Sequence, residues 1–244
     1  MAGNPPGVGR FRTTRWSLVL SAADEARRPE AAALDELCAA YWYPLYAFAR
    51  RSGRDEADAQ DLVQGFFATL IEKDYLADAD PTRGRFRTFM LTSFRHFASK
   101  ERAKAGALKR GGGVQTLSLD FEDGERRYRA EPVGGEAPEV IYERRWAHAL
   151  LDRAFTVLAR GERSGSAERA ERYELLRHRL TGGPQQPYRE IGERLGLSET
   201  AVKVAVHRLR RRFAVCLRHE IADTLGDERL VPDELKRLRE ALAP

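Results

Sequence analysis

The sequence predicts an all-α protein: two small helical domains joined by a flexible linker, the C-terminal one containing a helix-turn-helix. Three observations carry that expectation. Apolar residues recur at three- and four-residue intervals through most of the chain, the spacing of one helix face. A stretch rich in Gly, Pro and acids, residues 111–138, separates two such regions. Near the C-terminus, Tyr188 to Arg212 reads as a short helix, a glycine turn and a longer amphipathic helix.

The segments are assigned in chain order. Residues 1–12 are turn-rich at their start (MAGNPPGVGR) and are expected to be disordered. The first domain is set at 13–110. Leu34, Leu37, Cys38, Tyr41 and Trp42 share a helix face. Pro44 interrupts there and fits the first turn of a following helix with Leu45, Phe48 and Ala49. Ser52-Gly53 is a stop. A helix from about Asp55 or Glu56 to Lys73 starts acidic, as the helix dipole favours, and turns Leu62, Phe66, Thr69 and Leu70 to a core. Asp61, Gln64, Ala68 and Glu72 occupy another face. A further helix follows at about Arg85–Ala105. Phe86, Phe89, Met90 and Phe97 fall on one side, with Arg87, Arg95 and Arg102 in a separate sector about 80° wide.

The linker is set at 111–138, with a short hairpin or extended strand expected where Leu117, Leu119 and Phe121 alternate before Asp123-Gly124. The second domain, 139–219, resumes helical periodicity at about Pro138 through Trp146, Leu150, Leu151, Phe155 and Leu158. A helix at about 167–180 follows, ending at Gly182-Gly183-Pro184. Residues 220–244 form an extension in which Leu230, Leu235, Leu238 and Leu242 suit an amphipathic helix.

In the helix-turn-helix, Ile191 and Leu195 point inward, Gly196 suits the left-handed position that closes a helix, and Ser198 is a natural N-cap. Gly192 lies where the two helices cross closely. Val202, Val206, Leu209 and Phe213 form the inner stripe of the second helix. Glu199, Thr200, Lys203, His207 and Arg210 cluster opposite. Such a second helix places its N-terminal side chains in the major groove. There Lys203 can donate to guanine or phosphate, Thr200 can bond a base edge, and Glu199 can accept from cytosine. Arg208, Arg211, Arg212 and Arg218 extend the basic field toward phosphates.

Composition bounds the function. The 244 residues carry a net charge of +5 and are 42% hydrophobic. With a mean hydropathy of −0.55 they suit small, well-solvated domains. No apolar run approaches the roughly 18 residues of a membrane span, and no apolar leader opens the chain, so a cytoplasmic protein without membrane contact is expected. Cys38 and Cys216 fit no metal spacing, and neither a metal nor any other cofactor is expected. Five scattered histidines, with no HExxH, GxSxG or phosphate-binding loop, supply no catalytic residue, so an enzyme is not expected. Charge is segregated instead. Residues 54–80 hold eight acids against two bases, whereas 83–110 hold nine bases against Glu101. Two surfaces with different partners follow from that division.

The string YWYPLYAFARRSGRDEADAQDLVQGFFATLIEK resembles the polymerase-binding helices of the sigma-70 family of sigma factors, in particular the small extracytoplasmic-function (ECF) type. RGRFRTFMLTSFRHFASKERAKAGALKR resembles its helix for the downstream promoter element, and YREIGERLGLSETAVKVAVHRLRRRF its C-terminal, upstream-element domain. The matches cover about Leu37–Arg110 and Trp146–Arg218. The resemblance implies that Asp61, Gln64 and Phe67 help dock on the clamp helices of core RNA polymerase. It places Arg95, His96, Lys100 and Arg102 along the downstream (−10) element, and Phe89 and Phe94 in the segment associated with strand opening. The upstream (−35) element would meet Glu199, Thr200, Lys203, His207, Arg208, Arg210 and Arg211. Promoter DNA, core polymerase with its clamp and flap regions, and a candidate anti-sigma factor are the implied partners. Three positions depart from the pattern: Phe89 stands where many relatives have Trp, His96 where Asn is common, and Ala205 where Arg is frequent. The long linker and the extensions at both ends suggest a larger-than-minimal ECF subfamily. The alternative reading is a stand-alone helix-turn-helix regulator whose first block dimerises or senses.

Overall fold

A computed structural model describes residues 31–72, 85–105, 119–130, 135–182, 186–225 and 227–243. Expectations for residues 1–12, for the FRTTRWSLVL segment and for the glycines at 111–113 lie outside them. All regular structure among the described residues is helical: α1 (Ala31–Arg51), α2 (Glu56–Glu72), α3 (Phe86–Ala105), α4 (Phe121–Arg129), α5 (Pro138–Arg163), α6 (Ala167–Leu176), α7 (His178–Thr181), α8 (Tyr188–Leu195), α9 (Glu199–Ala222) and α10 (Val231–Ala241), with a 3₁₀ turn at Glu228–Leu230 before α10. They divide into two compact units. One comprises residues up to Trp146 together with Ala222–Pro232; the other comprises Ala147–Ile221 and residues from Asp233 onward. The division falls inside α5, later than the 138/139 boundary expected from sequence.

The first unit is built on aromatics. Tyr41, Leu45 and Tyr46 of α1, Val63, Phe66 and Phe67 of α2, and Phe86, Met90 and Phe94 of α3 are all buried. Each such side chain gains about 1.5–3 kcal/mol on leaving water. Edge-to-face geometry fixes their register: Tyr41–Phe86 at 5.5 Å and 73°, Phe66–Phe94 at 5.3 Å and 87°. Contrary to the expected interruption, α1 runs through Pro44. The missing amide costs one helical hydrogen bond. Burial of Tyr41, Tyr43, Leu45, Tyr46 and Ala47 on both sides of it outweighs that loss.

The expected extended segment before Asp123-Gly124 is corrected: Phe121–Arg129 forms α4, and part of the presumed linker is therefore ordered. Asp120 caps it, accepting from the Asp123 amide at 2.9 Å. Phe121 meets Trp42 at 5.5 Å, edge to face. Gly124 lies so close to Trp42 that a Cβ would come within 2.7 Å of the ring. The buried carboxylate of Glu125 accepts from Tyr46 Oη at 2.5 Å, from Arg50 Nη2 at 2.9 Å and from Arg129 Nε at 2.9 Å. Burial pushes its pKa up, but the bonds from Tyr46, Arg129 and Arg50 outweigh this and hold it below the usual carboxylate range. A depressed pKa stabilises the fold above the unfolded value, and the contribution is lost as pH falls through the folded one. Glu125→Gln is therefore expected to cost about 1–3 kcal/mol at pH 7. The gap between variant and parent should shrink below about pH 4.3. Denaturant titrations at pH 7 and pH 3 check this, and a gap independent of pH would count against an ionised Glu125.

The second unit packs Leu158 of α5, Tyr173 and Leu176 of α6, Ile191 of α8, and Val202, Val206 and Leu209 of α9 into one cluster. Buried Glu162 accepts from Arg169 Nε at 2.8 Å and from Arg212 Nη1 at 2.9 Å, joining α5 to α6 and α9. Arg153 Nε donates to Glu220 at 2.9 Å, a second tie between α5 and α9. The helix expected over 167–180 is broken at Arg177 into α6 and α7. In α10 the buried positions are Val231, Glu234 and Leu238, whereas Leu230, expected on the apolar face, is 41% exposed in the preceding turn.

Candidate nucleic-acid interface

Three surfaces hold the residues singled out from the sequence. The first is α2. Asp55 accepts from the Asp58 amide at 2.8 Å and so opens the helix, with Glu56 and Asp58 in its first turn. Asp61 is exposed and Gln64 half-buried, so both are available to a partner. Phe67, expected to help dock on polymerase, is fully buried against Phe66. Ala68, expected on the outer face, is buried as well.

The second surface is α3, where Arg95, His96, Lys100 and Arg102 are all exposed on a helix with few acids. Phe89 is half-buried, its ring 5.8 Å from that of Phe86. Phe94, expected in the strand-opening segment, is fully buried between Phe48 and Phe66. Arg87, expected on the basic stripe, is only 3% exposed. Its Nε donates to Glu143 at 2.6 Å, and its guanidinium lies 4.3 Å from the Trp146 ring centre. Helical phase placed Arg87 and Arg95 together, but the N-terminal turns of α5 cover one end of that sector.

The third surface is formed by α8, the three residues 196–198, and α9. Gly196 takes φ +64°, the left-handed conformation that closes α8. The Leu197 amide donates to the Gly192 carbonyl at 2.9 Å, and Ser198 Oγ accepts from the Ala201 amide at 3.2 Å. Glu199, Thr200, Lys203, His207, Arg208, Arg210 and Arg211 are all exposed on the outer side of α9. Lys203 Nζ pairs with Glu199 at 2.7 Å and lies 5.7 Å from the Tyr188 ring. The carboxylate raises the lysine pKa, and the ammonium lowers that of Glu199. Glu199 therefore serves Lys203 in this state.

One residue near this surface, Arg179, carries no sequence expectation. Arg179 stacks at 4.1 Å on Tyr188, the ring that Lys203 Nζ approaches at 5.7 Å, and its carbonyl accepts from Arg210 Nη2 at 3.3 Å. The only local signal was an arginine just before a Gly-Gly-Pro stop. Arg212, read as a phosphate contact, instead gives its guanidinium to Glu162. Among the described residues no group of side chains could hold a metal, and no helix is long and apolar enough to cross a membrane.

Residues 39–107 match the family model for sigma-70 region 2. The match takes in most of α1 and all of α2 and α3, the helices carrying the acidic and basic surfaces. The match covers less than a third of the chain, and over that stretch the chain is similar to region 2 of sigma-70 family sigma factors. No curated protein and no solved structure matches the chain.

Proposed function

We propose that this chain is an ECF-type sigma factor that binds core RNA polymerase through the exposed acids of α2 and reads the −10 element with α3. In this reading α8 and α9 form a helix-turn-helix that reads the −35 element with Glu199, Thr200, Lys203, His207, Arg208, Arg210 and Arg211. The two compact units would act as two reading heads, the first for the −10 element and the second, carried by the flap region, for the −35 element. The observation that carries the reading is the region 2 match over helices whose exposed faces have opposite charge. An acidic face suits a basic protein surface, and a basic face suits a phosphate backbone. The exposed, basic outer side of α9 supports the second head.

The test is run-off transcription with core polymerase on a randomised promoter library. Enrichment of a −10/−35 pair is expected. Tight promoter binding without any core association would favour a stand-alone regulator. Within that assay, Lys203→Ala should weaken selection at one −35 position by about 1–3 kcal/mol if the ammonium reads a base edge. A uniform loss across sequences, with a shallower salt dependence, would make Lys203 a phosphate contact.

A further inference from the structure

The two arginines of α3 that meet α5 are held very differently. At one end, Arg87 is sealed: Glu143 takes its Nε at 2.6 Å, Trp146 covers its guanidinium, and Tyr142 Oη donates to its carbonyl at 2.8 Å. Tyr142 and Trp146 are themselves buried, so this end is part of the core of the first unit. Eight residues along α3, Arg95 forms an ion pair with Glu139 in the first turn of α5. Here both partners are open, Arg95 at 49% and Glu139 at 43% exposure, and the Arg95 guanidinium also lies 5.4 Å from the Phe48 ring. The sealed end fixes where α5 lies along α3. The open end sets a carboxylate on an arginine of the basic stripe.

We propose that Glu139 is an internal competitor for nucleic acid: its carboxylate occupies Arg95 where a backbone phosphate would bind, so the free chain is partly masked. The inference rests on the reading of α3 as a DNA-binding helix. An exposed ion pair is weak. A phosphate offered alongside the contacts of His96, Lys100 and Arg102 displaces it, whereas a phosphate meeting Arg95 alone gains little. The mask thus favours engagement of the whole stripe over casual binding, and it is released without moving the sealed Arg87 end.

The test measures binding of the full chain to a fluorescently labelled single-stranded oligonucleotide of mixed sequence, across a range of salt. E139Q is expected to tighten binding by about threefold to tenfold at low salt. The dependence of log K on log salt should steepen by about 0.7, the value for one further phosphate on a single strand. In an R95Q background the same change should give no gain. A gain that survives R95Q would be a general effect of net charge and would overturn the mask. If E139Q changes nothing while K100Q/R102Q weakens binding, α3 still binds DNA and the mask is wrong. If K100Q/R102Q also changes nothing, the reading of α3 fails and takes the mask with it.

Discussion

Phe94→Ala should cost the first unit about 3–5 kcal/mol, the usual range for emptying a buried phenylalanine site. Phe94 is fully buried, and its ring is edge-on to both Phe66 and Phe48, so truncation loses two aromatic contacts along with the burial. Phe89→Ala is the informative partner. Its ring is half-exposed and touches Phe86, so its removal should cost stability only about 1 kcal/mol. If Phe89 holds an unstacked base, that variant should instead weaken strand opening by about 1–3 kcal/mol. Denaturant unfolding reads the first effect, and permanganate reactivity of promoter thymines with core polymerase reads the second. A Phe94→Ala protein of parental stability with defective opening would return Phe94 to the DNA surface.

That contrast shows where a sequence stops being legible. Helical phase places Phe89 and Phe94 on α3 but cannot say which will be capped by a neighbour. The answer lies in Phe48 of α1 and Phe66 of α2, each far away in sequence. Arg87 and Arg95 make the same point: they share a sector, yet the burial of one is decided by Trp146 and Tyr142. α4 was hidden for a related reason. Its sequence FEDGERRYR carries a central glycine and reads locally as a turn. Gly124 is small because Trp42 lies against it, and Glu125 is buried because Tyr46, Arg50 and Arg129 await it. Arg129 is local, four residues on, but no window of local sequence contains Trp42, Tyr46 and Arg50. By contrast, α2 and the outer face of α9 were legible. Their start signals, apolar stripes and charged faces are short-range, and the Glu199–Lys203 pair lies at the four-residue spacing that brings helix side chains together.

Gly192→Val should disable the turn between α8 and α9 at a cost of about 3 kcal/mol, the upper end for inserting atoms into a packed site. A Cβ at this position would fall 2.5 Å from the Leu197 carbonyl oxygen and 3.6 Å from Val202 Cγ2. The first of these is backbone, and it cannot swing aside as a side-chain end can. It is also held from the other side, because the Leu197 amide donates to the Gly192 carbonyl at 2.9 Å. Gly196→Ala provides the scale. Gly196 needs its left-handed φ of +64° but has open space around it, so the change should cost only about 1–2 kcal/mol of backbone strain. Amide hydrogen exchange on the full chain separates the two: Gly192→Val should speed exchange across α8 and α9 while leaving α1–α3 protected. If α9 carries the −35 contacts, the same variant should lose −35 selection in the promoter library and retain core binding. Should Gly196→Ala prove the more damaging change, the close approach at Gly192 is not what sets the geometry of α9. The placement of Lys203 would then depend chiefly on the left-handed turn.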